Sequence, residues 1–220
     1  MRNIWRNNGL SIVLFSLFLI FLFAQSLTGH RLEREELLDH SAPPVTYWGY
    51  LTSGGFVEAT FENWESEFLQ MFAYVIFTVF LYQRGSSESK KLEMREKVDA
   101  DPRRVQDKRN APWPVRRGGS ALRLYENSLS LAFLLLFFLS FVLHAAGGAA
   151  DYNQERELHE DSPITTLQYI GTARFWFESF QNWQSEFLAV AAIVLLSVFL
   201  RQRGSPESKP VAAPYHQTGQ

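Results

Sequence analysis

The chain contains the same stretch of sequence twice. Residues 8–90 align without a gap onto residues 127–209, at a constant offset of about 119 residues, and about 31 of about 83 aligned pairs are identical. The strongest blocks are Phe61 to Leu69 (FENWESEFL) against Phe180 to Leu188 (FQNWQSEFL), and Phe80 to Lys90 against Phe199 to Lys209. A duplication of this kind restricts the fold to two copies of one supersecondary unit. A residue kept in both copies answers to the same constraint twice.

Average hydropathy is near zero and 20% of residues are charged, which alone would suit a soluble protein. The apolar residues are not spread out, however. They collect in four runs, at about 10–27, 64–82, 129–146 and 183–200. Each approaches the ~20 residues that a helix needs to cross ~30 Å of hydrocarbon. The first and third runs carry no formal charge and have no polar face. A cleavable signal is the alternative for the first run, with Arg2 and Arg6 before it, but its repeat partner is internal. The expected fold is therefore all-α and integral to a membrane, with four transmembrane helices.

Lys and Arg set the orientation. They crowd the N-terminus (Arg2, Arg6), the middle loop (Arg84, Lys90, Lys91, Arg103, Arg104, Lys108, Arg116, Arg117) and the tail (Arg201, Arg203, Lys209). The other two loops hold Arg31, Arg34, Arg156 and Arg174 among more numerous carboxylates. Both termini and the middle loop are thus expected in the cytoplasm. Two spans per copy give the tandem copies the same orientation, with a pseudo-two-fold axis along the membrane normal. The organisation reads as a first two-span repeat at 1–90, a basic cytoplasmic helix and linker at 91–123, a second repeat at 124–209 and a disordered tail at 210–220. The helix is expected over Glu88–Val98. Gly85 and Gly204 are read as helix C-caps, and Ser86 and Ser205 as N-caps of a next helix.

The external loops begin with charged stretches, Leu32–His40 and Tyr152–His159, read as short helices. They end in aromatic ones. Trp48, Trp64, Trp176 and Trp183 are expected as interfacial anchors. The repeated motif Asn-Trp-x-Ser-Glu-Phe places Asn63, Ser66 and Glu67, and in the second copy Asn182, Ser185 and Glu186, toward the bundle centre. Ionisable residues in a span usually mark function. Glu67 and Glu186 could share a proton or bind a cation. The competing reading is structural, with Asn and Ser bonding between helices. Glu36 with His40, and Glu155 with His159, repeat at i and i+4 spacing and could together supply two Glu and two His to a metal. His144 is read as an ordinary polar residue near a helix end.

Much is excluded. There is no cysteine, hence no disulfide and no thiolate ligand. No phosphate-cradling loop and no assembled nucleophile and base are present, so no enzymatic activity and no cofactor are expected. A net charge of −2 gives no reason to expect nucleic acid. The expected partners are the bilayer and its anionic headgroups at the basic loop, with a homo-oligomer left open.

The blocks Leu27 to Arg31, Glu62 to Met71 and Phe80 to Lys90, with their second copies, resemble a family of bacterial integral membrane proteins catalogued as a domain of unknown function (number 6766). The resemblance implies a multi-pass protein of the bacterial cytoplasmic (inner) membrane and offers no catalytic residues. The leading expectation is a non-enzymatic structural or interaction role. A small ion, proton or solute transporter or channel subunit is the alternative, and an external Glu/His metal protein the third reading.

Overall fold

The computed structural model describes residues 2–92, 95–105 and 109–219. Among them every regular element is helical: α1 (Arg2–Asp39), α2 (Tyr47–Tyr50), α3 (Gly54–Phe80), α4 (Trp113–Arg117), α5 (Gly119–Glu126), α6 (Ser128–Leu158), α7 (Thr166–Ile170) and α8 (Ala173–Phe199). Two short 3₁₀ turns, Lys97–Asp99 and Pro102–Arg104, lie between α3 and α4.

Three helices are long and apolar enough to cross a membrane: α1, α6 and α8. On α1 the run Leu14, Phe15, Leu19, Ile20, Phe21 and Phe23 is exposed throughout. Water would penalise so much apolar surface, whereas hydrocarbon removes the penalty. Helix α3 falls short of the same standard. It carries Glu58, Glu62, Glu65 and Glu67, so its uncharged stretch begins only at Phe68.

The helix ends are set by local chemistry that recurs at the repeat offset. Helices α1 and α6 run on through the charged stretches expected to be separate short helices, and end at Asp39 and Leu158. Nothing in Leu32–His40 or Tyr152–Leu158 breaks a helix. Termination comes from Ser41 and Glu160, which take left-handed φ values of 57° and 61°. Ala42 N–H then reaches Leu37 O at 2.8 Å, and Asp161 N–H reaches Arg156 O at 2.8 Å. This is the Schellman closure. The Thr46 and Thr165 hydroxyls cap α2 and α7, and those of Ser53 and Thr172 accept from Phe56 N–H and Phe175 N–H at the starts of α3 and α8.

The chain divides into two compact units, one formed by Met1–Phe61 with Val142–Phe175, the other by Glu62–Phe141 with Trp176–Gln220. In the first, α6 and the start of α3 approach at backbone contact. A Cβ on Gly147 would lie 2.6 Å from Glu58 N, and one on Gly54 would collide with Asp151 N. Small residues permit such approach between membrane helices.

In the second unit, the two Gln-Arg-Gly-Ser-x-Glu-Ser-Lys segments fold alike. Gly85 and Gly204 take φ values of 88° and 84°, but as turn residues beyond the helix ends rather than as helix caps. Ser86 and Ser205 Oγ each accept from the N–H two residues on, at 3.1 Å. They cap turns, and neither turn leads into a helix. The α-helix expected over Glu88–Val98 does not form in its described residues, of which only Lys97 and Val98 enter a 3₁₀ turn; Glu93 and Met94 lie outside the described residues, as does Lys108. Ser89 Oγ instead accepts Gln83 N–H and closes the turn. Lys90 ion-pairs with Asp99 at 2.7 Å. The hydrogen bond from Lys90 holds the Asp99 carboxyl below its usual range.

The tail, expected to be disordered, is ordered instead. Lys209 is 1% exposed, and its Nζ donates to the carbonyls of Tyr215 at 3.0 Å and Gln217 at 2.9 Å. Burial pulls its ammonium below the usual lysine range. A buried ammonium must have its donors satisfied, and the tail wraps to satisfy them. Thr218 Oγ1 accepts Gly85 N–H, and Gly219 N–H bonds Ser86 O. Lys209→Met should release the tail. Carboxypeptidase and proteinase K digestion should then trim residues after Pro210 at least about tenfold faster than in wild type. Equal rates would show that Lys209 does not hold the tail.

Candidate functional site

The polar chemistry of the first unit gathers around one tyrosine. Each copy seats a tyrosine against a helix glycine: Tyr50 of α2 against Gly29, and Tyr169 of α7 against Gly148, where a Cβ would lie 2.5 Å from the ring. Each tyrosine also meets a phenylalanine edge-on, Tyr50 with Phe56 at 5.3 Å and Tyr169 with Phe175 at 5.7 Å. Burial, with Glu33 and Asp151 nearby, pushes the Tyr50 phenol up from its ordinary value.

The second tyrosine does more. Tyr169 is fully buried, and its hydroxyl donates to Glu58 Oε1 at 2.8 Å, on a carboxylate only 7% exposed. Arg174, at the start of α8, stands 4.0 Å from Glu58 Oε2. Its guanidinium bonds Asp151 at 3.0 Å and Glu155 at 2.7 Å, and covers the Tyr152 ring at 5.5 Å. His144 is completely buried and stacks on Phe175 at 4.8 Å. This fixes three helices and the α7 turn with charge-assisted bonds, which are about twice as strong as neutral ones.

The expected residues are placed differently. Ser66 and Ser185 make the same bond, each hydroxyl donating to the carbonyl three residues back, Asn63 O at 2.7 Å and Asn182 O at 2.8 Å. Ser66 is buried, whereas Asn63, Glu67 and Ser185 are exposed, and Asn182 and Glu186 half-buried. Asn182 Nδ2 donates back to Glu178 O. Glu67 and Glu186 lie near enough for their charges to interact. Glu65 is fully buried instead, and accepts Trp183 Nε1–H at 2.9 Å. Trp183 packs with Trp176 and Phe180, so these two anchors serve an aromatic cluster, and Trp64 is half-buried. Trp48 stands out at 76% exposed.

Glu36, His40, Glu155 and His159 are all exposed and form no ligand group among the described residues. His40 Nδ1 lies 2.9 Å from Glu36 O of its own helix, and Glu155 is engaged by Arg174. Sequence reasoning missed Glu58, Glu65, Asp151 and Tyr169, and read His144 as ordinary. Each of the five is replaced by a different residue in the other copy except Tyr169, which aligns with Tyr50.

No curated protein matches the chain. No solved structure matches it. The family model described as Domain of unknown function (DUF6766) matches residues 1–220, and the chain belongs to that family.

Proposed function

We propose that the chain is a four-span protein of the bacterial inner membrane with a structural, non-enzymatic role. In this reading α3 is the fourth span, the two tandem copies share one orientation, and both termini are cytoplasmic. Helices α3 and α8 support it, since each has 27 residues and they start at the same repeat position.

The observation that carries the role is the Glu65–Trp183 bond. A carboxylate in a span either serves a pathway or locks helices. Glu65 is wholly enclosed and tied to an indole of the other copy, which is a lock. Ser66, Ser185 and Asn182 bond within their own helices rather than between helices, so the lock rests on Glu65 and Trp183 and not on the Asn and Ser of the motif. The transport alternative retains one supporting fact, the interacting charges of Glu67 and Glu186. A cavity of about 310 Å³ lined by Tyr74, Glu88 and Phe187 includes neither of them.

The test uses full-length protein in sealed liposomes. Trp183→Phe should lower stability by about 1–2 kcal/mol, read by denaturation in mixed micelles. Glu67→Gln combined with Glu186→Gln should leave both stability and passive proton flux unchanged. Proton or cation flux that the double variant abolishes would overturn the structural role in favour of transport.

A further inference from the structure

The segment before α6 is built unlike the other connections. Between Pro112 and Asn127, helices α4 and α5 display Trp113, Leu124 and Tyr125 as exposed apolar side chains. Arg116, Arg117 and Arg123 lie among them, also exposed. No carboxylate ion-pairs with these three among the described residues. Arg117 instead lies over the Trp113 ring at 5.1 Å, a cation held on an aromatic face. The segment carries one carboxylate, Glu126. One residue after α5, the chain enters α6, an apolar helix long enough to cross a membrane.

We infer that α4 and α5 form an interfacial anchor that binds the headgroups of anionic phospholipids in the bilayer that α6 enters. The inference rests on the membrane reading above and adds a ligand class and its residues. Three observations converge. The arginines lack acidic partners among the described residues, and a phosphodiester supplies them with bidentate acceptors. Exposed Trp and Tyr suit the headgroup layer, where ring and polar tip are both satisfied. Continuity with α6 puts the segment at the depth where headgroups lie, as befits a short helix with basic and aromatic side chains. Topology alone would explain positive charge here, but not the exposed Trp, Leu and Tyr interleaved with it.

The absence of cysteine allows a clean test. Leu124→Cys, labelled with an environment-sensitive fluorophore in the full-length protein, is placed in nanodiscs of phosphatidylcholine alone or with about one-third phosphatidylglycerol. Anionic lipid should shift the emission to the blue. The shift should vanish in high salt and in the triple variant Arg116→Gln, Arg117→Gln, Arg123→Gln. That variant should also lose at least about tenfold of the preference for phosphatidylglycerol, read by competition. Equal spectra in the two lipids, or a triple variant that keeps the shift, would overturn the assignment. Inorganic phosphate reproducing the shift in phosphatidylcholine would overturn the headgroup as its source. Flotation of the same protein with liposomes separates the two claims: a chain that fails to float with either lipid overturns the membrane reading itself.

Discussion

Gly54→Ala should destabilise the protein by about 2–3 kcal/mol, at the upper end of what overpacking costs, and Gly54→Val should prevent folding. The reason lies in what the added Cβ meets. At Gly54 it collides with the backbone nitrogen of Asp151 and lies 2.7 Å from the carbonyl oxygen of Gly147. At Gly147 it would sit 2.6 Å from Glu58 N and 3.0 Å from Gly54 O. These atoms belong to helix backbones and cannot rotate aside. The helices must separate, and the contacts along Gly54–Glu58 and Gly147–Asp151 weaken together, because dispersion falls off within an ångström. Gly148→Ala should be costly too, since the Tyr169 ring in its path is fully buried. Gly9 is the control. A Cβ there would meet only Trp5, at an ordinary 3.8 Å, and alanine favours helix by about 1 kcal/mol over glycine. Gly9→Ala should therefore be neutral or slightly stabilising in the same denaturation series. Equal losses at Gly9 and Gly54 would show that the effect is not close packing.

The duplication made the local structure legible. Hydropathy locates the three helices that are long and apolar enough to cross a membrane, and Ser66 and Ser185, which make the same bond in both copies, were found because both copies keep them. The helix ends were harder to read. Ser41 and Glu160 stop α1 and α6 in left-handed conformations, which the usual residues for that role, Gly and Asn, would have signalled. The tail was misread for another reason. Its composition suggests disorder, but the ammonium of Lys209 organises it through backbone carbonyls, and carbonyls leave no mark in a sequence.

The polar cluster was hidden by the very test that found the rest. A contact between two copies need not be symmetric, and here it is not. Glu58 aligns with Phe177, Glu65 with Gln184, Asp151 with Leu32, Arg174 with Gly55 and His144 with Gln25. Selecting residues present twice removes all five. The better signal was a charged or polar residue that the other copy does not keep, with an apolar or small residue in its place at Glu58, Asp151 and Arg174 and a glutamine at Glu65 and His144. Such positions are where two similar halves have been differentiated to bind each other.

Tyr169→Ala should cost about 4 kcal/mol, made up of a cavity left by a fully buried ring and a buried carboxylate that loses its donor. Two milder variants separate these parts. Tyr169→Phe keeps the ring against Gly148 and Phe175 but removes the hydroxyl that donates to Glu58. Bonds to charged groups contribute about 1.5–3 kcal/mol, so about 2 kcal/mol is expected. Glu58→Gln in the Tyr169→Phe background should recover part of that loss, because a neutral amide is less expensive to bury without the hydroxyl. Arg174→Met should cost less than its three carboxylate neighbours suggest. Its side chain is 35% exposed, and those of Asp151 and Glu155 are 32% and 51% exposed, so solvent screens the attraction and about 1 kcal/mol is expected. A double-mutant cycle between Tyr169→Phe and Arg174→Met reads how far the two act together on Glu58. A clear coupling between them would identify Glu58 as the shared anchor of α3, α7 and α8. Strict additivity would mean that Tyr169 and Arg174 stabilise the fold independently, and that the charged bonds around Arg174 are surface pairs.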